Sequence, residues 1–561
     1  MNEAFELNQK HRNDPRPPPT PPDVSPQRNA GPDYNDELPE TELKKVLTER
    51  HVNMIAFSAC IGTGLFLQSG KVVFLAGPGL AVVAYLLSGS IIWSVMGSLG
   101  EMTALFPIQG GIFVFPTRFL DEGVGLPVLW YGRLEYIFGC IKMFFLSGLI
   151  LFNVIVTTLQ RVPHANGTTW TYDDPYSFSS KNITIRVDSH DKDSVVVKGN
   201  AGIFLAMWTA MTTIVFSMIG FETVSITAAE CAPLRSTEAI KMGTRKICIR
   251  VFTLYTLCVL VVGFNVPYTD SNLRQIALNS FGQGQNSIYI LAAVRNNIHG
   301  WPNFFCGFFI FCATTAGINS LYLSSRILHA LASIREVWPE NIIFQGIRAR
   351  LERTTWGVPH GAVSVSWLFG LLAFLSTKQT PNIQLGRLAT NSVVSMLIVY
   401  AIVCVTYLRF YICIEKAATG QIQSLNHTAQ DLSAYNRQNR HYPFKSRGQW
   451  LKACYGILGC CLLAFFNGWR SFVTPFSAAD FVASYISIPV FCFLIVAYHV
   501  KLDGWNPKEW RLRNSRELLQ PPPEVVLLED RVGSLRLAND TTLFARENFL
   551  PVLKWIWAWL K

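Results

Sequence analysis

Charge is what this chain has least of. Only 15% of its 561 residues are Asp, Glu, Lys or Arg, against about 25% in an ordinary soluble domain, while half are hydrophobic. That shortage excludes a cytosolic enzyme core, and it excludes a plain nucleic-acid binder even though the net charge of +11 alone would admit one. A cleavable signal peptide is missing, because the first fifty residues are polar and the first apolar run is long enough to act as a signal anchor. Of 13 cysteines none falls in 158–201 or 268–301, the two segments that face outward in the topology below, so a disulfide scaffold is excluded. Cys460 and Cys461 are adjacent but have no nearby His or carboxylate, which argues against a metal site and for ordinary packing. Neither a phosphate-binding loop nor a nucleophile elbow occurs, since Gly62-Thr63-Gly64 lacks the following Lys-Ser/Thr. No enzyme and no cofactor is expected.

What is present is a series of apolar blocks about twenty residues long. They place spans near 53–75, 79–104, 137–158, 202–230, 248–267, 302–333, 360–377, 388–410, 452–473 and 479–500. The fold class is therefore an all-α polytopic membrane protein with ten spans. With both termini inside, the inner segments hold 35 Lys/Arg and the outer ones 11. Without the tails and the long loop 158–201 the count is still 18 to 6, which fixes the orientation by the positive-inside rule. That loop carries two glycosylation sequons, at Asn166 and Asn182, which suits an outer position. A third, at Asn426, lies on the inner side and illustrates how readily the motif arises by chance.

Two spans are interrupted at mid-depth. The first contains Ile61-Gly62-Thr63-Gly64-Leu65-Phe66, and glycine costs roughly 1 kcal/mol against alanine inside a helix. The fourth contains Ile219-Gly220-Phe221-Glu222, a glycine beside an intramembrane carboxylate. Unwound backbone is tolerated at that depth only where protein or a water-filled cavity satisfies it. Freed N–H groups at a half-helix N-terminus suit a carboxylate and freed carbonyls suit a cation, so together the two breaks describe a receptor for a zwitterion. Gly62 and Gly64 also fit close helix packing, and Glu222 also fits a structural pair with a neighbouring helix. Lys142, near the inner edge of the third span, either snorkels or, if buried, favours its neutral form and joins proton coupling.

These segments resemble the fungal amino acid permeases of the amino acid-polyamine-organocation superfamily over roughly 44–500. The likeness is carried by Arg50-His51 with Ile61 to Phe66, by Ser98-Leu99-Gly100-Glu101-Met102, and by Arg118-Phe119 with Asp121. Further parts are Ile219-Gly220 with Glu222 and Glu230, Asn319-Ser320 with Ser325-Arg326, Gly357-Val358-Pro359, Thr406-Tyr407-Leu408-Arg409-Phe410, and Asp480-Phe481 with Tyr485 and Pro489. The resemblance implies a leucine-transporter-type inverted-repeat fold and proton-coupled amino acid uptake. It also implies a substrate held between the first and sixth family helices, here by Ser58, Ile61, Gly62, Thr63, Gly64, Ile219, Gly220, Phe221 and Glu222. Lys142 matches the fifth-helix lysine to which the family assigns coupling, with Glu222 as the second coupling residue. Two departures are visible. Ser58-Ala59-Cys60 and Gln68 stand where glycines or small polar residues are usual. In addition Gly125 to Trp130 resembles the entry to the family's third helix while Tyr131 to Tyr136 already resembles the entry to its fifth, so the third and fourth helices are absent and the first repeat is incomplete.

Around the permease domain, 51–500, lie two tails. Residues 1–50 are polar and disordered, with Pro15 to Pro22 forming a polyproline II stretch that suits an SH3-type partner. Residues 501–561 end in an aromatic segment, Leu550 to Lys561, too short to span and suited to the membrane interface. The partners expected are the amino acid, protons, membrane lipids and cytosolic trafficking proteins on the tails, at the plasma membrane, with no nucleic acid. The alternative class is a non-transporting amino acid sensor or an inactive shortened paralogue. A sensor is expected to carry a long structured N-terminal domain, which these first fifty residues are not.

Overall fold

The computed structural model describes residues 56, 58–105, 112, 115, 147–158, 175–184, 196–226, 248–277, 287–333, 341–354, 359–370, 379–418, 437, 448–473 and 476–503. All belong to one compact unit, Glu40–Lys561. Helices come in the order α1 (Thr63–Ala76), α2 (Pro78–Leu105), α3 (Ser147–Thr158), α4 (Gly199–Ser217), α5 (Thr223–Ile226) and α6 (Cys248–Gly263). There follow α7 (Ser271–Ala277), α8 (Ile288–Arg295), α9 (Trp301–Ser333), α10 (Ile342–Glu352), α11 (His360–Gly370), α12 (Gln379–Ala418), α13 (Gln449–Phe465), α14 (Ala478–Tyr485) and α15 (Ser487–Asp503). Among the described residues the only β pairing is a single bridge between Thr184 and Val196.

Five helical stretches are long and apolar enough to cross a membrane: Pro78–Leu105, Gly199–Ser217, Trp301–His329, Thr390–Lys416 and Trp450–Phe472. They coincide with five of the ten expected spans. The blocks near 53–75, 137–158 and 248–267 appear as the shorter apolar helices Gly64–Ala76, Ser147–Thr158 and Phe252–Gly263. Residues 371–377 of the seventh expected span lie outside the described residues. The tenth runs through α14 and α15, joined at Ile486, which keeps helical dihedrals and donates to the Val482 carbonyl at 2.9 Å; Pro489 in the first turn of α15 has no N–H to donate back.

The helix α2 is the axis of the core. It is apolar on all sides and packs against α4, α6, α12 and α13, as a helix with no polar face must. Against it and its neighbours lie fully buried tyrosines, Tyr85, Tyr255, Tyr289, Tyr400 and Tyr407, together with Phe66, which stacks on Phe309 of α9 at 4.4 Å between ring centroids. Pro78 begins α2 at the position where a missing N–H costs nothing. Just before it Gly77 turns the chain at φ +81°, and its N–H closes α1 on the Val73 carbonyl at 2.9 Å.

Over that turn lies the loop 175–184. Lys181 N–H donates to the Ala76 carbonyl and Gly79 N–H to the Ser179 carbonyl, both at 3.0 Å, and the Lys181 ammonium sits 4.0 Å from the Phe74 ring centroid. Arg295 of α8 pairs with Asp270 at 2.8 Å and donates to the Tyr176 hydroxyl at 2.6 Å. Partial burial raises the Tyr176 phenol above its ordinary range, so it stays protonated and able to accept that bond. This capped end is the one that the charge asymmetry assigns to the outside. Asn182 lies within this docked loop, between bonds from Lys181 N–H and Ile183 N–H, with its amide oxygen buried. Asn166, the other sequon, lies outside the described residues.

Candidate functional site

Both interrupted spans are broken where glycine stands. Residues 58–60 are helical, Ile61 and Gly62 are not, and α1 begins at Thr63 with its N-cap residue Gly62 in an extended conformation (φ −147°, ψ −153°) and, as a glycine, without a side chain to cap the helix. The first N–H groups of such a helix have no intrahelical partner. On the other side of the break, the Cys60 carbonyl is met by the Tyr255 hydroxyl of α6 at 2.7 Å. One turn into α1, the Phe66 carbonyl accepts from Ser287 at 2.8 Å.

The second break separates α4 from α5. Gly220 sits at φ +121°, a conformation that an L side chain resists, and the chain re-enters helix at Thr223. Glu222 folds back to hold this turn: its Oε2 accepts from Gly220 N–H at 3.0 Å and from the Tyr400 hydroxyl of α12 at 2.8 Å. Thr223 adds two bonds to the Gly220 carbonyl, from N–H at 3.2 Å and from the hydroxyl at 2.7 Å. The carboxylate is thus both the functional candidate of the sequence and a partner of a neighbouring helix, the two readings that the sequence left open.

The two breaks lie back to back. A Cβ on Gly64 would fall 2.6 Å from Ser217 Cα, and one on Gly220 would fall 3.1 Å from the Ala59 carbonyl carbon. A Cβ on Gly62 would meet Ala316 of α9 at 3.0 Å, so α9 closes a third side. Ser58, Ile61, Phe221 and Glu222 are all buried, with Glu222 5% exposed. Ile219 is partly buried against the core and Thr63 opens α1. The sequence-predicted site residues on the two broken spans therefore converge on one place. Lys142 lies outside the described residues.

Tyr400 and Tyr255 were not singled out in the sequence, because a tyrosine in an apolar helix has the same signature whether or not it touches a break. Glu101 is different. It is a fully buried carboxylate in α2, paired with Arg437 and accepting from the Tyr407 hydroxyl at 2.6 Å. Arg437 also donates to that hydroxyl at 3.0 Å and lies 3.9 Å from the Tyr411 ring centroid. The rule that singled out Glu222, an ionisable group inside a span, applies equally to Glu101. Two residues on, the Thr103 hydroxyl lies 3.0 Å from that of Ser225 in α5, tying α2 to the half-helix that follows the second break.

Comparison with known proteins accounts for this arrangement. The chain matches the amino acid permease family over residues 51–130, 126–418 and 421–511. It is 25% identical to the lysine/arginine permease CAN1 of Candida albicans, over 86% of this chain and 84% of that one. It is 27% identical to the proline-specific permease of Emericella nidulans, over 84% and 86%. The SPS-sensor component SSY1 of Saccharomyces cerevisiae is 24% identical over 82% of this chain and 62% of its own length. With two broken helices meeting inside a multi-pass bundle and a family match running through nearly all of it, the chain belongs to the amino acid permease family, whose members are membrane transporters of amino acids and not enzymes.

Proposed function

We propose that this permease carries out proton-coupled uptake of an amino acid at the plasma membrane. The observation that carries the reading is the meeting of the two breaks at Gly62 and Gly220. The N–H groups at the start of α1, which follow a glycine that has no side chain to cap them, suit the substrate carboxylate, and backbone carbonyls at the second break other than those of Gly220 and Glu222, which Thr223 and Ser225 occupy, suit its ammonium. Ser58, Ile61, Thr63, Gly64, Ile219 and Phe221 line the same place. Glu222 and Lys142 carry the coupling proton, the former because it is the carboxylate held at the break. The names of relatives at similar identity point to different substrates, lysine and arginine in one case and proline in another, so the side-chain preference rests with this chain's own pocket.

Expression in a host lacking its own amino acid permeases tests this. Accumulation of a radiolabelled mixture of amino acids, collapsed by a protonophore, is the expected result. Binding without accumulation favours the sensor reading, which likeness to a sensor component supports. Part of the proposal is a first repeat without the family's third and fourth helices; in support, one segment of the family match ends at 130 and the next begins at 126, within the expected gap.

A further inference from the structure

The helix α12 presents two tyrosines two turns apart, and each donates its hydroxyl to a different buried carboxylate, Tyr400 to Glu222 and Tyr407 to Glu101. The surroundings of the two pairs differ. Glu101 also has Arg437, a fixed positive charge, as a partner. Glu222 has Tyr400 and the Gly220 N–H, and both bonds end on the same oxygen, Oε2. Apart from Glu222, the titratable groups facing Tyr400 are the thiols of Cys60, ahead of α1, and Cys460, on α13.

An ionised carboxylate only accepts hydrogen bonds, whereas a protonated one must also donate. Protonation at either oxygen removes the charge that strengthens both bonds on Oε2, and the free oxygen Oε1 can take the proton while Oε2 goes on accepting. The bonds from the Tyr400 hydroxyl and the Gly220 N–H then become neutral ones, roughly half as strong. In the first state α12 grips the break between α4 and α5 tightly; in the second the grip is loosened.

We infer that Tyr400 is the positioning residue through which protonation of Glu222 is converted into movement of the broken helix against α12. This rests on the proton-coupled reading above. The proton comes from outer water with the substrate, resides on Glu222 and leaves to inner water, while the phenol keeps its own proton throughout and only the strength of its hydrogen bond changes.

The test uses the purified full chain in proteoliposomes with a tritiated mixture of protein amino acids. Tyr400→Phe keeps the ring and removes the hydroxyl. Substrate counterflow, which needs no proton gradient, is expected to stay within about twofold of the parent. Accumulation driven by an acid-outside gradient is expected to fall at least about fivefold, the lower end of ordinary coupling strengths. Tyr407→Phe, whose carboxylate keeps Arg437, is expected to retain both. Accumulation by Tyr400→Phe at the parental ratio overturns the inference, and so does a parallel loss of counterflow, which marks a purely structural role. An equal loss of accumulation in Tyr407→Phe overturns it as well. A parent whose accumulation ignores a protonophore sinks the proton-coupled reading itself, and is told apart because it precedes any comparison of variants.

Discussion

At the residue scale, the glycines of the two breaks do different work, and substitution separates them. The nearest neighbour of a Cβ on Gly64 is the Ser217 backbone, which has no side-chain torsion with which to yield. Gly64→Ala must push α1 and α4 apart, and we expect a loss of about 1–3 kcal/mol together with weakened substrate binding. A Cβ on Gly62 meets the Ala316 methyl group at 3.0 Å, which is fixed to the α9 backbone but less close than Ser217 is to Gly64, so Gly62→Ala should cost less than Gly64→Ala, while Gly62→Val should block binding. Gly220→Ala adds a strained φ of +121° to a contact of 3.1 Å, which is expected to cost about 1–3 kcal/mol. Thermal unfolding in detergent, paired with ligand-binding titration, measures each. Unchanged binding in Gly62→Val would leave these glycines a packing role only. Glu222→Gln keeps an acceptor for Tyr400 but cannot be ionised, so proton-driven accumulation should fall while the fold survives. Full accumulation at every pH would remove Glu222 from the mechanism. That Gly62 and Gly220 mark unwound helix was legible in the sequence, because glycine at mid-depth is costly and each stood in an otherwise apolar run. That Tyr400 holds Glu222 was not, because the two are 178 positions apart and the contact exists only once α12 lies against the second break.

At the scale of elements, the ends of the bundle are held by different chemistry. At the loop-capped end Arg295, 26% exposed, pairs with Asp270, 11% exposed, and donates to Tyr176, so the pair is partly buried with a guanidinium that still reaches water. At the other end Glu101 and Arg437 are 0% and 10% exposed, and stranding one partner of such a pair leaves a buried charge. Arg437→Ala is therefore expected to destabilise by about 3–5 kcal/mol, and Asp270→Asn by less, since it strands only an Arg295 head that is 26% exposed. Adding Glu101→Gln to Arg437→Ala should recover part of that loss, since the uncompensated carboxylate is then gone. Denaturant unfolding of the four proteins decides it; similar costs at both ends would mean that water reaches Glu101. Helix positions were legible here where the apolar runs were long, as in α2, α9 and α12. The missing backbone donor at Pro489 was not weighed, because in a hydropathy window proline inside an apolar stretch reads as one more residue of a span.

At the scale of the whole molecule, enclosure is uneven. In α2 61% of the most apolar window is buried inside the bundle, whereas in α9 the figure is 28%. The open face of α9 is not purely aliphatic: Gly307 and Gly317 have nothing within 4 Å of an added Cβ, and the hydroxyls of Thr314, Ser320 and Ser324 lie on exposed positions. In a membrane, small and hydroxyl-bearing residues serve where helices touch one another, because lipid gives them nothing to pack against. We propose that a face of that composition, on a helix that also borders the break at Gly62, is one that a missing neighbouring pair of helices leaves open. The sequence reading puts the expected gap between Gly125 and Glu135, and one segment of the family match ends and the next begins there. We therefore expect full-length cDNA read across those codons to contain roughly sixty more, encoding two apolar spans of about twenty residues each. With them the chain is a twelve-span permease, and the glycines and hydroxyls of α9 become helix contacts. If the transcript joins Gly125 to Glu135 as written, the site is left open along α9, and the expected product is retained in the cell or fails to accumulate substrate. Uptake by that shorter protein would mean that the two breaks, held by Tyr255, Tyr400 and Ser287, suffice for transport without the rest of the first repeat.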